Sequence, residues 1–237
     1  MTCLSVNINK IATLRNSRGG DYPNVCNVAK DVQHFGAHGI TVHPRPDERH
    51  IRYNDVYELK EIVYKEFNIE GNPIDKFVKM VTEIKPTQVT LVPDDINALT
   101  SNAGWDTIKN EAYLKEIVDE FKSNKIRTSI FLDPKIELLE SVININPDRV
   151  ELYTEEYAKC FAKKEYEVIN KYMLCANEIS KHGIGINAGH DLSLSNIKFF
   201  KSRIENLIEV SIGHALIGES LYFGLEETIK KYLYHLS

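Results

Sequence analysis

The chain has 237 residues, 43% of them hydrophobic and 27% charged, with a formal net charge of -5. That length suits one large domain or two small ones, and so apolar a chain is not a disordered one. The negative charge argues against a sequence-blind nucleic-acid binder, and four scattered cysteines without a C-x-x-C pair exclude a disulfide scaffold and the usual zinc spacings. No apolar run approaches the roughly 20 residues of a membrane span. The first residues, Met-Thr-Cys-Leu-Ser-Val-Asn, lack the basic and apolar blocks of a signal peptide, so a cytoplasmic location is expected.

In chain order, strands are predicted over Leu4–Asn9, Gly39–His43, Phe67–Glu70, Gln88–Val92, Arg127–Leu132, Arg149–Tyr153, Gly185–Asn187 and Glu209–Ile212. Helices are predicted over Val25–Phe35, Asn54–Tyr64, Pro73–Ile84, Asp106–Ser123, Pro134–Asn144, Tyr157–Lys181, Ser193–Lys201 and Glu219–Tyr234. Tyr172, Ala176 and Ile179, and likewise Leu221, Leu225, Ile229 and Leu233, keep a 3.6-residue apolar period. Pro73 and Pro134 sit at helix starts, and Gly183 follows a helix end. Strict alternation, at a mean spacing of about 29 residues, implies parallel strands joined by crossover helices. The count favours an α/β fold, a (βα)8 TIM barrel forming one domain over residues 1–237. A doubly wound open sheet is the runner-up, but G-x-G-x-x-G is missing after the first strand.

In such barrels chemistry sits at the C-terminal strand ends. There strand 1 carries Asn7 and Asn9 and runs into Lys10, strand 2 ends in His43 with Arg45 and His50 following, and strand 3 ends in Glu70. Asp133 follows strand 5, strand 6 holds Glu151 with Thr154 just beyond, strand 7 leads to Asn187 and His190, and strand 8 leads to His214. Any one of these has an ordinary explanation: a solvated loop histidine, a helix-capping Asp133, a packed Glu151. His43, Glu70, His190 and His214 together point to an enzyme site, because such residues are poor strand formers and costly to bury unpaired. His34, His38, His182 and His235 fall elsewhere and read as structural.

Gly189–Ser193 and Ile212–Ala215 place glycine at strand-to-helix turns whose backbone N–H groups can face an anion. Arg15, Arg18 and Arg45 add guanidinium groups near the same end. The long connection from Pro93 to Trp105 has the length of a lid, with Trp105 as a closing residue or an ordinary hydrophobic anchor.

Several separated motifs resemble the pyridoxine 5'-phosphate synthase family of deoxyxylulose-dependent vitamin B6 biosynthesis. They are Val6-Asn7-Ile8-Asn9 with Ile11–Arg15, Gly39–His43 with Arg45 and Arg49-His50, Phe67-Asn68-Ile69-Glu70, Leu91-Val92-Pro93, Asn187-Ala188-Gly189-His190 and Ile212-Gly213-His214-Ala215. The resemblance implies condensation of 3-amino-2-oxopropyl phosphate with 1-deoxy-D-xylulose 5-phosphate, closing a pyridine ring with release of phosphate and water, in a homo-octamer. It implies His43 and Glu70 as proton acceptors, His190 as proton donor and Glu151 as a transition-state stabiliser. Asn7, Arg18, Gly213 and His214 match positions contacting the amino-ketone phosphate; Arg45, His50 and Thr100 match those contacting the deoxyxylulose phosphate. Asn9-Lys10, where many members have Asp-His, and Asp191, where a glycine often stands, count among the substrate-binding positions.

That chemistry suits the residues. Ring closure needs repeated proton transfers, which histidine and a desolvated carboxyl perform near neutral pH, and two phosphorylated substrates explain two anion sites. Neither metal nor cofactor is expected. The alternative enzyme is a phosphosugar aldolase or isomerase with a Schiff base on Lys10; a catalytically silent, phosphometabolite-binding barrel is the non-enzyme alternative. Tyr222, Phe223 and Tyr232 read as exposed aromatics compatible with a subunit interface.

Overall fold

In the computed structural model, which describes residues 1–94 and 103–237, eight parallel strands close into a barrel in sequence order. They are β1 (Cys3–Asn7), β2 (Gly39–Val42), β3 (Glu66–Gly71), β4 (Gln88–Leu91), β5 (Arg127–Leu132), β6 (Arg149–Tyr153), β7 (Gly185–Gly189) and β8 (Leu207–Ile212). Closure comes from β1 pairing with β8, Cys3 opposite Glu209 through Val6 opposite Ile212. All eight predicted strands are present, β5 and β6 with the predicted bounds.

Around them run α1 (Asn9–Asn16), α2 (Val25–His34), α3 (Tyr53–Lys60), α4 (Asp75–Ile84), α5 (Glu111–Ser123) and α6 (Leu139–Ile145). The second half of the chain supplies α7 (Glu155–Ala162), α8 (Ile169–Lys181), α9 (Ile197–Arg203), α10 (His214–Phe223) and α11 (Leu225–Leu236). The local sequence explains the docking face of each. Phe77, Met80, Val81 and Ile84 on α4, and Leu114, Ile117, Val118 and Phe121 on α5, repeat at helical spacing and are buried against the barrel. Burying each such side chain contributes roughly 1.5–3 kcal/mol. Lys85, in the left-handed region, ends α4 by donating its N–H to Val81 O at 2.8 Å.

Three helix expectations need correction. The first strand stops at Asn7, and Asn9 and Lys10 begin α1, a helix the sequence reading did not include. Tyr157–Lys181 is two helices separated by a turn in which Lys164 has φ 64°. The last helix is also two, broken at Gly224, whose φ of 80° favours a residue without Cβ. Tyr232 is buried, its hydroxyl donating to Glu219 Oε2 at 2.6 Å, whereas Tyr222, near the end of α10, is 87% exposed.

Outward strand residues such as Leu4, Ile40, Ile69, Val89, Ile130 and Val210 are fully buried under the helices. Most inward residues are polar, Phe131 being an exception, unlike the branched aliphatic filling common in this fold. Ser5 and Thr41 share a 2.7 Å hydrogen bond, Asn68 donates to Thr41, and Thr90 donates to Asn68 at 3.0 Å. At the strand-start end, Arg127 pairs with Glu66 and donates to Gln88 at 2.9 Å. Arg149 reaches Glu209 and Asn187 at 3.3 Å and Glu66 at 3.6 Å. Asn187 thus belongs to this floor and not to the mouth. No helix among the described residues is long and apolar enough to cross a membrane.

Candidate active site

At the opposite end, β1 to β4 deliver a connected set of polar groups. Asn7 closes β1 and donates from Nδ2 to Glu70 Oε2 at 3.3 Å, while its Oδ1 accepts the backbone N–H of Asn9 at 3.0 Å. Asn9 Oδ1 in turn accepts the backbone N–H of His43 at 2.9 Å. Two asparagines therefore tie the strand-2 histidine to the strand-3 carboxyl, and the Asn9 side-chain oxygen is engaged in positioning His43. His43 Nδ1 lies 4.0 Å from Glu70 Oε2, with both side chains buried. On the other side of the ring, Nε2 lies 3.9 Å from Asp94 Oδ2, which Arg45 Nη2 approaches to 3.1 Å.

His50 completes this side, its ring edge-on to His43 at 6.2 Å between centroids. Its backbone carbonyl accepts from Arg15 Nη2 at 3.2 Å and Asn16 Nδ2 at 2.8 Å. Arg15 is not an anion contact on the rim. It is buried, and its guanidinium grips both carboxylate oxygens of Asp55 at 2.6 and 2.8 Å. Asp55 also accepts the N–H of Arg52 at 2.8 Å, closing the first turn of α3.

Glu151 and His190 come from the far wall. A Cβ on Gly189 would sit 2.1 Å from Glu151 Oε1, so this glycine makes room for the carboxyl. His190 and Asp191 both have left-handed backbones, φ 69° and 57°, a combination strained for residues with side chains. Thr154, fully buried, holds the segment: its Oγ1 lies at 2.8 Å from Gly189 O and also bonds His190 O. The His190 ring stands against Phe131 at 4.8 Å and Tyr153 at 5.5 Å. Thr154→Val is expected to lower stability by about 1–3 kcal/mol, the cost of buried carbonyls losing a donor, and to lower kcat as His190 loosens. Urea unfolding and a kcat measurement check this, with Thr154→Ser retaining both.

Burial sets the protonation states. Desolvation, helped by the charges of His50 and Arg45, holds His43 well below the ordinary imidazole value. It brings His50 and His190 down to about 4. The same desolvation, with Asp94 nearby, pushes Glu70 up to about 8, against a hydrogen bond from Ser211 that favours the charged form. Glu151 is raised well above its ordinary value by burial and then by Glu70 and Glu209. Near neutral pH the mouth thus holds neutral imidazoles beside proton-bearing carboxyls, a set able to accept and donate protons without repelling anions.

The structure brings together Asn7, Asn9, His43, Arg45, His50, Glu70, Glu151 and His190. Lys10, Arg18, Asp191 and His214 are exposed, on the first turn of α1, just past its end, after β7 and at the start of α10. Gly213 is the residue before α10. After β7 no helix follows directly: Ser193 N–H is taken by Asn196 Oδ1 at 2.9 Å and Leu194 N–H by Glu219 Oε1 at 3.1 Å, which leaves fewer donors for an anion than the sequence suggested. Thr100 and most of the Pro93–Trp105 connection lie outside the described residues. Trp105 is an anchor, buried and donating from Nε1 to Leu91 O at 3.0 Å. Asp133 does not cap its helix; its Oδ1 accepts the N–H of Gly104 at 3.2 Å. His38 is structural, its Nδ1 accepting from Leu4 N–H at 3.1 Å.

Sequence reasoning missed Asp94 and Ser211 and gave Thr154 no role. For Asp94 the available signal was a charged residue directly after the strand-4 motif Leu91-Val92-Pro93.

Residues 4–237 match the family described as Pyridoxal phosphate biosynthesis protein PdxJ. The chain is 60% identical over 233 residues to a pyridoxine 5'-phosphate synthase of Christiangramia forsetii, covering 98% of both chains. It is 57% identical over 236 residues to one of Cytophaga hutchinsonii, covering 100% of this chain and 99% of the other. Among solved structures it is similar to N-(5'-phosphoribosyl)anthranilate isomerase from Pyrococcus furiosus, with a TM-score of 0.65 over 100% of this chain and 98% of that one. At 11% identity that likeness speaks to the fold alone.

Proposed function

The chain belongs to the family of Pyridoxal phosphate biosynthesis protein PdxJ, and on that premise we propose that its barrel mouth makes pyridoxine 5'-phosphate. The substrates are 3-amino-2-oxopropyl phosphate and 1-deoxy-D-xylulose 5-phosphate. The amine of the first adds to the ketone of the second with loss of water, and ring closure follows with release of phosphate and further water. The observation that carries the assignment of roles is the paired His43 and Glu70 at 4.0 Å in a buried mouth, facing His190 and Glu151 across it.

In this reading His43, neutral when the site is empty, accepts a proton as the amine attacks, and Glu70 accepts one in the later eliminations. His190 donates to the departing oxygen. An arriving phosphate dianion favours the charged form of this imidazole, so substrate binding itself readies the donor. Glu151, behind Gly189, stabilises charge that develops on the intermediate. Arg45, His50 and Thr100 take the deoxyxylulose phosphate. Asn7, Arg18, Gly213 and His214 take the amino-ketone phosphate, the N-terminus of α10 adding its backbone dipole. Asn9, Lys10 and Asp191 border the sugar hydroxyls and the phosphates. Holding both fragments together removes much of the entropic cost of a two-substrate reaction.

The enzyme works in the cytoplasm as a homo-octamer. The exposed apolar run Leu221, Tyr222 and Phe223 at the end of α10 supports assembly. Lys10 is exposed on α1, whereas a Schiff-base lysine needs a desolvated amine, so the aldolase alternative gains no support. A discontinuous assay with both substrates tests the reading. Pyridoxine 5'-phosphate and free phosphate should appear in equal amounts, and omitting either substrate should give neither. Absence of product with both present would overturn it.

A further inference from the structure

Asp94 has no place in the roles above, yet its carboxylate lies between the histidine and the arginine of the site. Oδ2 is 3.1 Å from Arg45 Nη2 and 3.9 Å from His43 Nε2, with all three side chains at most 7% exposed. The opposite ring nitrogen of His43, Nδ1, faces Glu70 Oε2 at 4.0 Å. The imidazole is thus bracketed by two carboxyl groups, one on each nitrogen. We propose that Asp94 is a positioning residue for His43, holding the ring in the tautomer with the proton on Nε2 so that Nδ1 is left as the accepting nitrogen beside Glu70.

The chemistry of the two sides differs. A carboxylate paired with a permanently charged guanidinium can only accept a hydrogen bond, so it favours the tautomer that carries the proton on the nitrogen facing it. Glu70, held in its protonated form near neutral pH, is a donor and matches an unprotonated Nδ1. The backbone around the pair is fixed from several directions. His43 N–H is held by Asn9, Asp94 O accepts from Asn72 Nδ2 at 3.1 Å, and Glu48 N–H donates to Arg45 O at 2.9 Å. His43, Arg45 and Asp94 line one recess together with Tyr53, Asn72 and Phe77.

When a substrate proton moves to Nδ1, the ring becomes an imidazolium bearing protons on both nitrogens. The Asp94 charge at Nε2 then offsets the new positive charge, as the buried carboxylate does in hydrolase triads. Because the same oxygen meets Arg45, a phosphate seated on that guanidinium is coupled to the orientation of the base. The proposal rests on the reading of His43 as a proton acceptor.

Full-length Asp94→Asn and Asp94→Glu test it, with ring-nitrogen NMR of the substrate-free protein and His43 assigned from the spectrum of His43→Gln. Wild type should show Nε2–H at His43. Asp94→Asn should shift the ring toward Nδ1–H and lower kcat by about 100-fold, while the KM for 3-amino-2-oxopropyl phosphate stays within about twofold. Asp94→Glu should keep Nε2–H and recover most of kcat. An Nδ1–H ring in wild type overturns the proposal, and this measurement stands even if Asp94→Asn fails to fold. So does an Asp94→Asn protein with the wild-type tautomer, whatever its activity, since that marks a packing role. Failure of wild type to make pyridoxine 5'-phosphate would instead overturn the functional reading, leaving the tautomer result to decide the placement of Asp94.

Discussion

Glu70→Gln is expected to lower kcat/KM for ring formation by about 100- to 10,000-fold while leaving the barrel folded, the usual range for loss of a placed acid–base group. Gln keeps the shape of the side chain and an oxygen for the Asn7 amide, but it cannot exchange a proton. The pH dependence should change in a linked way. The groups facing Glu70 are Asn7 from β1, His43 after β2, Asp94 after β4, Glu151 on β6 and Ser211 on β8. Burial and Asp94 raise its pKa to about 8 in the fold, against 4.5 as the ordinary value. As a base it works only when ionised, so wild-type kcat/KM should climb through about pH 8.

Stability should move the other way. Between the unfolded and folded values the native state binds the extra proton, so the contribution of Glu70 is full at low pH and is lost as pH rises through about 8. Urea midpoints and kcat/KM measured from pH 6 to 9 should therefore run in opposite directions in wild type. In Glu70→Gln both slopes from this group should flatten. A variant retaining wild-type kcat/KM would show that Glu70 carries no proton in the reaction.

Arg15→Ala should destabilise the protein by about 3–5 kcal/mol, because it strands the buried carboxylate of Asp55. The loss extends beyond the ion pair. Arg15 also holds His50 O, and Asp55 closes the start of α3, so the connection carrying Arg45 and His50 loses its anchor to α1. Alongside the drop in stability, KM for 1-deoxy-D-xylulose 5-phosphate should rise more than kcat falls. Arg15→Lys should recover only part of the stability, since an ammonium cannot grip both oxygens at once. Replacing Arg15 and Asp55 together by Met and Leu should cost less than Arg15→Ala alone. Urea unfolding reads all of these, and an Arg15→Ala protein within about 1 kcal/mol of wild type would refute the account.

The barrel was legible because each strand is a short β-branched run with turn residues at both ends, and the period of the helices fixes their inward faces. Helix α1 escaped for a specific reason. Ile8, Ile11, Ala12 and Arg15 do repeat at helical spacing, but the last is a charged residue buried through Asp55, and a hydrophobic period does not count it. The break at Gly224 was hidden because Leu221, Leu225 and Leu233 stay in phase across it. His43, Glu70 and His190 could be read from position, as polar residues at strand ends, whereas Glu151, inside its strand, took a role only from the family resemblance. Asp94 could not, since its meaning depends on Arg45 and His43 in a different connection, brought near only by pairing of β2 with β3 and β3 with β4.

The charged floor formed by Glu66, Arg127, Arg149 and Glu209 has a consequence for how this barrel diversifies. Each member answers to a partner on another strand, so a single change leaves a half-buried or buried polar group without its partner whereas a matched pair of changes does not. Natural drift at these positions should proceed in concerted steps, with intermediates that fold poorly, while the aliphatic outer faces drift one residue at a time. Grafting the catalytic mouth onto another barrel would accordingly require transplanting the floor as a set.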